Sequence, residues 1–222
     1  MPPVCDKYTD TLARTRALIA PPVQDVACAY VRRYLEEMDG AGYDPADADE
    51  HADEFTAEDI AAVGRMGVRV AHKARPWLLG EDGDPTAAVL LAQIPNARDL
   101  WEVTEAEYDG ILGRDQDGNK SPAWRLWDEV AARLDHTGHS GRWVTAFKLL
   151  HRKRPRLLPI YDQEAVSRVL NVTRDDVWEA LWCTFRHADV RENLEAIRAQ
   201  VSGAGSLSLI RVLDIIVWTS VK

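Results

Sequence analysis

Apolar positions recur along this chain at three- and four-residue steps and almost never at alternate positions, the periodicity of helices buried on one face. In PPVQDVACAYVRRYLEEM, residues 21–38, two prolines suit a first helical turn. Val23, Val26, Ala27, Tyr30, Val31 and Tyr34 then fall on one side. Thr56-Ala-Glu-Asp59 has the hydroxyl and carboxylate spacing of a capping box, so a helix is predicted to start there, turn Ile60 and Val63 inward, and end at Gly64 and Gly67. Shorter helices are predicted in AHKARPWLLG, broken near Pro76, and in DPTAAVLLAQI and TEAEYDGIL. SPAWRLWDEVAARL is the clearest segment: Trp124, Trp127, Val130, Ala131 and Leu134 share a face behind a Ser121-Pro122 start, and DHTGHSG closes it.

A new helix is predicted from near Gly141 through Val144, Ala146, Phe147, Leu149 and Leu150. Others follow at residues 163–170, in TRDDVWEALWCTF with Thr173 as cap, in ENLEAIRAQV, and after Gly205-Ser206. The β-branched tail IIVWTSV has strand composition, but a lone strand has no partner to pair with. The pattern predicts an all-α protein of eight to ten short helices. It reads as a single helical domain over 1–222 that can divide into two lobes, with an acidic loop at 40–56.

Charge changes this picture because it is so unevenly placed. The formal net charge is -9, yet residues 1–33 carry five Lys/Arg against three acids, residues 34–59 carry eleven acids and no Lys/Arg, and the remainder balances. The acidic stretch, with Gly, Pro and alternating Asp/Ala, reads as a solvated loop between helices, and its 36–59 portion is a candidate surface for a protein partner. Its spacing does not fit a D-x-D-x-D-G calcium loop, and neither the histidines nor the cysteines have metal-site spacing, so no metal or other cofactor is expected. Cys5, Cys28 and Cys183 are odd in number and widely spread, which argues for small packing residues rather than a disulfide framework. The N-terminus lacks the basic start and apolar core of a signal peptide, and no apolar run reaches the roughly 18 residues of a membrane span. A cytoplasmic protein with reduced thiols is therefore expected, with no membrane contact.

One segment runs against the acidic balance. GRWVTAFKLLHRKRPRLLPIYDQEAVSRVL, residues 141–170, gathers six Lys/Arg between Arg142 and Arg156 with no acid among them. Arg152, Lys153, Arg154 and Arg156 suit either a nucleic-acid contact or the C-terminal turn of a helix, whose dipole favours cations.

From Ser121 to Leu170 the order helix, glycine-bearing hairpin, helix, basic stretch, Pro, apolar pair, Asp, helix resembles the helix-hairpin-helix superfamily of base-excision DNA glycosylases. The matching positions are Gly141, Thr145, Ala146, Pro159 and Asp162, and the sixteen-residue step from Ala146 to Asp162 agrees with that superfamily's. The whole chain also resembles a family of uncharacterised actinobacterial proteins. The glycosylase resemblance implies a two-lobed helical bundle that binds DNA or a nucleotide-derived ligand. Gly141, Arg142, Thr145, Lys148, Arg152, Lys153, Arg154 and Arg156 would contact the backbone, and His139, Trp143 or Tyr161 would stack on an extruded base. Asp162 would be the catalytic carboxylate, stabilising an oxocarbenium-like sugar or activating water. No Lys occupies the Schiff-base position, so the implied enzyme is a monofunctional N-glycosidic hydrolase. The hairpin is longer than the superfamily's, and iron–sulfur cysteines are missing. The alternatives are that Asp162 is an ordinary N-cap, and that the chain is a non-catalytic helical binding protein of the same architecture.

Overall fold

The computed structural model describes residues 3–37, 42–44, 51–115, 117–134 and 141–222. Its helices are α1 (Thr9–Ile19), α2 (Gln24–Glu37), α3 (Ala57–Arg65), α4 (Arg75–Leu78), α5 (Thr86–Ala92), α6 (Glu105–Ile111), α7 (Pro122–Leu134), α8 (Arg142–Lys153), α9 (Arg168–Leu170), α10 (Val177–Phe185), α11 (Ala188–Gln200) and α12 (Leu209–Thr219). The fold is all-α among the described residues, where the only β feature is an isolated bridge between Arg114 and Lys120. The twelve α-helices among the described residues exceed the eight to ten expected because single-turn pieces such as α4 and α9 stand apart from their neighbours. Pro76 opens α4 rather than breaking a longer helix, since a missing N–H costs nothing in a first turn. Residues 215–219 of the tail read as a possible strand lie in α12, where nine of eleven residues are buried and the Ser208 hydroxyl caps the Arg211 N–H.

The chain divides into two compact units, one of Met1–Ala41, Asp99–Glu102 and Tyr161–Lys222, the other of Gly42–Arg98 and Val103–Ile160. In the first, α2 buries Ala27, Cys28, Val31 and Tyr34 against α11 and α12. Cys28 therefore takes an inward position that the apolar pattern assigned to Val26, which is 52% exposed. Arg211 of α12 is buried and bonds both Asp214 and the Tyr34 hydroxyl, so its charge is met where water cannot reach it.

A disulfide between Cys5 and Cys183 corrects the expectation of three packing thiols. It fixes the 3-10 turn Pro3–Tyr8 to α10 across 178 residues of sequence, beside a Lys7–Asp176 ion pair at 2.8 Å and a Tyr8 hydroxyl bond to Glu179. Burial, with Glu179 next in effect, pushes the Tyr8 phenol well above its ordinary range. The cap assigned to Thr173 is also corrected. Asp176 precedes α10, and the Thr173 hydroxyl bonds the Asp176 carboxylate at 2.6 Å.

In the second unit α7 and α8 pack by their apolar faces. Trp124, Trp127 and Phe147 meet with ring centroids between 5.4 and 6.4 Å apart, and burying such side chains contributes about 2–3 kcal/mol each. The capping box at Thr56 is present: its hydroxyl accepts from the Asp59 N–H while Asp59 accepts from the Thr56 N–H. A second joins Thr104 and Glu107 at the start of α6. Among the described residues no helix is long and apolar enough to cross a membrane.

Candidate functional site

The second unit carries most of the residues that the sequence marked out, and α8 positions them. Its apolar face docks on α7, which leaves the last turn, His151 to Lys153, pressed toward α3 rather than toward water. Arg152 Nε donates to Asp59 Oδ1 at 3.0 Å and Lys153 Nζ to Asp59 Oδ2 at 2.9 Å. The Lys153 side chain is 0% exposed, that of Arg152 9% and that of Asp59 2%. A single carboxylate thus closes the capping box of α3 and faces two buried cations. Arg152 also bonds the Tyr43 carbonyl, with Glu58 at 3.8 Å on its outer side.

Arg154, just past the helix, is 0% exposed at the side chain and uses its whole fork. Nε donates to Ile94 O at 2.7 Å, Nη1 to Ala52 O at 2.6 Å and Lys153 O at 2.9 Å, and Nη2 to the Asp53 carboxylate at 2.7 Å and to Leu91 O. Five acceptors around one planar donor set satisfy carbonyls at the end of α5 and in the loop before α3. His151, fully buried, bonds the Leu158 carbonyl through Nδ1 at 2.7 Å and lies parallel to the Tyr43 ring.

These positions correct the reading of Lys148, Arg152, Lys153 and Arg154 as backbone-phosphate contacts. Each is buried, and Lys148 Nζ donates to Met66 O at 2.9 Å. Thr145 is buried as well, its hydroxyl donating to Gly141 O at 2.8 Å. Of the predicted basic set only Arg156 is exposed, while Arg142 is half-buried with its guanidinium 5.2 Å from the Trp143 ring centroid. The acids that neutralise the cluster, Asp53, Glu58 and Asp59, come from the stretch that the sequence suggested was a solvated loop. Residues 38–41 and 45–50 of that stretch lie outside the described residues, as does the hairpin 135–140 with His139.

Opposite the buried face of α3, a surface groove of about 510 Å³ runs along the same helix. Ala57, Ile60, Ala61 and Gly64 form its floor. Val68 and Val70 form a further wall, and Arg69 and Arg75 border it, both exposed. Sequence reading missed it because Ala and Gly at helical spacing signal helix formation and nothing more. The one available sign was that Ala57, Ile60, Ala61 and Gly64, beside the buried Asp59, Ala62 and Val63, are apolar or lack a side chain, so α3 carries a second run of small and apolar positions alongside Glu58 and Arg65.

Residues 27–221 match the model of a family described as a family of unknown function, DUF6308. The chain belongs to that family. The match takes in α3 through α12 and almost all of α2, so the α8 cluster and the α3 groove both lie within the DUF6308 region, whereas Cys5 lies before it. No curated protein and no solved structure matches the chain.

The remaining predicted positions of this DUF6308 chain fall on several elements. Gly141 precedes α8 with a right-handed φ of -72°, in the second unit. Trp143 is the one exposed aromatic among the three stacking candidates that is described, at 37%. Tyr161 is buried, which takes its ring away from a stacking role at the surface. Asp162, in the first unit, is half-buried in extended backbone and accepts from the N–H groups of Glu164 at 2.8 Å and Ala165 at 3.3 Å, the geometry of an N-cap. It opens a short π-turn, Gln163–Ser167, that leads into α9. Among the described residues no group of three or more His, Cys, Asp or Glu is placed to hold a metal ion.

Proposed function

We propose that this chain is a non-catalytic helical binding protein in which the basic turn of α8 is an internal connector and not a nucleic-acid face. One observation carries the reading: Asp59, 2% exposed, accepts from both Arg152 and Lys153, so these two cations already have their counter-ion inside the protein. A phosphate would have to displace a carboxylate that also caps α3, and the desolvated pair would resist it. The outer cations, Arg142 and Arg156, are too few for the multi-phosphate contact that gives tight binding.

The test is a fluorescence anisotropy titration with duplex and single-stranded DNA at about 50 and about 200 mM salt. The expected result is no saturable, salt-dependent binding. Binding that weakens steeply with salt and is abolished by Arg142→Glu/Arg156→Glu would overturn the proposal in favour of a nucleic-acid protein.

A second reading, monofunctional base excision by Asp162, keeps one supporting observation. Asp162 sits half-exposed at the start of a helical segment, as the glycosylase resemblance implies. Excision from damaged duplexes by the native protein, lost in Asp162→Asn, would establish it. Equal product with and without the substitution would remove it.

A further inference from the structure

The outer face of α3 is unusual for a surface helix. A helix packed on one face ordinarily presents polar side chains to water on the other. Here the inner face buries Asp59, Ala62 and Val63, and the exposed charges Glu58 and Arg65 lie outside the groove lining, so Ala57, Ala61 and Gly64 line an open groove with no charged side chain of α3 in it. A Cβ at Gly64 would meet nothing within 4 Å, and its φ is not in the left-handed region, so neither crowding nor turn geometry accounts for glycine there. Glycine inside a helix costs about 0.5–1 kcal/mol relative to alanine. It does, however, lower the groove floor.

The second observation is the charge at the border. Between Ile60 and Gly80 the sequence holds Arg65, Arg69, Lys73 and Arg75 and no acid, in a chain of formal charge -9. Arg69 and Arg75 both border the groove, and among the described residues neither guanidinium makes an ion pair or side-chain hydrogen bond. This is the reverse of Arg152, Lys153 and Arg154, each of which is buried and meets a carboxylate. Two exposed guanidinium forks beside an apolar floor have the donor geometry for an oxyanion, which arginine grips with two parallel N–H bonds. The groove volume lies in the range that holds a small organic ligand.

We propose that the α3 groove binds an amphipathic organic anion, with a carboxylate or phosphate head held by Arg69 and Arg75 and an apolar body lying over Ala57, Ala61 and Gly64. The proposal rests on the chain being a binding protein, but on elements separate from the α8 turn, so absence of DNA binding and absence of this ligand are independent results. A free carboxylate or phosphate ester and an anionic lipid surface offer the same head chemistry, and the assignment is to the free molecule, since a surface of like sign repels a chain of charge -9.

The test is an amide-shift NMR titration of the full chain with decanoate, decyl phosphate and, as a cation of equal tail, decyltrimethylammonium. Saturable shifts confined to residues 57–75 are expected with both anions and not with the cation. Arg69→Glu/Arg75→Glu, at two exposed positions, should leave the spectrum folded and weaken anion binding at least tenfold; Ala61→Trp, which fills the groove, should block it with both arginines intact. No saturable shift, equal binding of the cation, or binding indifferent to the arginine changes would each overturn the proposal. Sedimentation with anionic phospholipid vesicles without saturable binding of the free anions would overturn it in favour of a membrane surface.

Discussion

Asp59→Ala probes the α8–α3 connection most sharply. The substitution removes a carboxylate that lies within 3.0 Å of two side chains, Arg152 and Lys153, that are 9% and 0% exposed. Deleting one member of a buried ion pair typically costs about 3–5 kcal/mol, because the partner charge stays in a medium that solvates it poorly. Loss of the α3 capping box adds about 0.5–2 kcal/mol, although the two share one carboxylate and will not sum fully. A total near 4 kcal/mol corresponds to a fall in Tm of about 8–16 °C for a chain of this size. Urea and thermal unfolding followed by circular dichroism measure it, and the deficit should persist from low salt to about 0.5 M because buried charges are poorly screened. Asp59→Asn, which keeps a cap acceptor, should recover the capping part alone. In a cycle with Lys153→Met the two substitutions should be non-additive by at least about 1 kcal/mol. A loss under about 1 kcal/mol, or one that vanishes in salt, would refute the reasoning, since an exposed pair behaves that way.

Other consequences follow from single contacts. Arg154→Lys should cost at least about 2 kcal/mol in urea unfolding, since an ammonium cannot reach the five acceptors that the guanidinium holds; a neutral result would show that the carbonyls find water. Cys5→Ser, or reduction of the native protein, should lower stability by about 2–4 kcal/mol through the freed 178-residue separation, while Cys28, buried and with its thiol raised by desolvation, should resist thiol reagents until unfolding. Glu107 is held down to about 2, chiefly by the Arg98 guanidinium and next by the Thr104 hydroxyl. A carboxylate lowered in the folded state contributes stability above its unfolded value near 4.5 and loses it as pH falls toward 2, so Glu107→Gln should destabilise at pH 7 and match the native protein below about pH 2. A deficit constant across that range would point to shape and not charge.

Local features were legible in the sequence, and long-range pairings were not. The Thr56–Asp59 box, the α7 face of Trp124 and Trp127, and the start of α8 at Gly141 depend on residues within one or two turns, and each is present. The partner of Arg152 is 93 residues away and that of Lys153 is 94, so the run HRKRPR carried no local sign of whether it faced water or an acid. The stretch containing Asp53 and Asp59 looked solvated for the same reason: charge favours a surface until tertiary contacts supply its counter-ion. Cys5 and Cys183 meet through docking of the N-terminal turn on α10, for which odd cysteine number was the wrong guide. The α3 groove is legible only after the inner face of that helix is known, because small apolar residues fit equally well inside or out.

Lysine acetylation of the native protein, read residue by residue by mass spectrometry, tests the internal role of the basic turn most directly. Lys153 and Lys148, both buried, should label only as fast as the protein unfolds, while exposed Lys73 and Lys222 label at once. Labelling of Lys153 at the rate of Lys73 in folded protein would contradict the account, because that ammonium would then be available to solvent and to a phosphate.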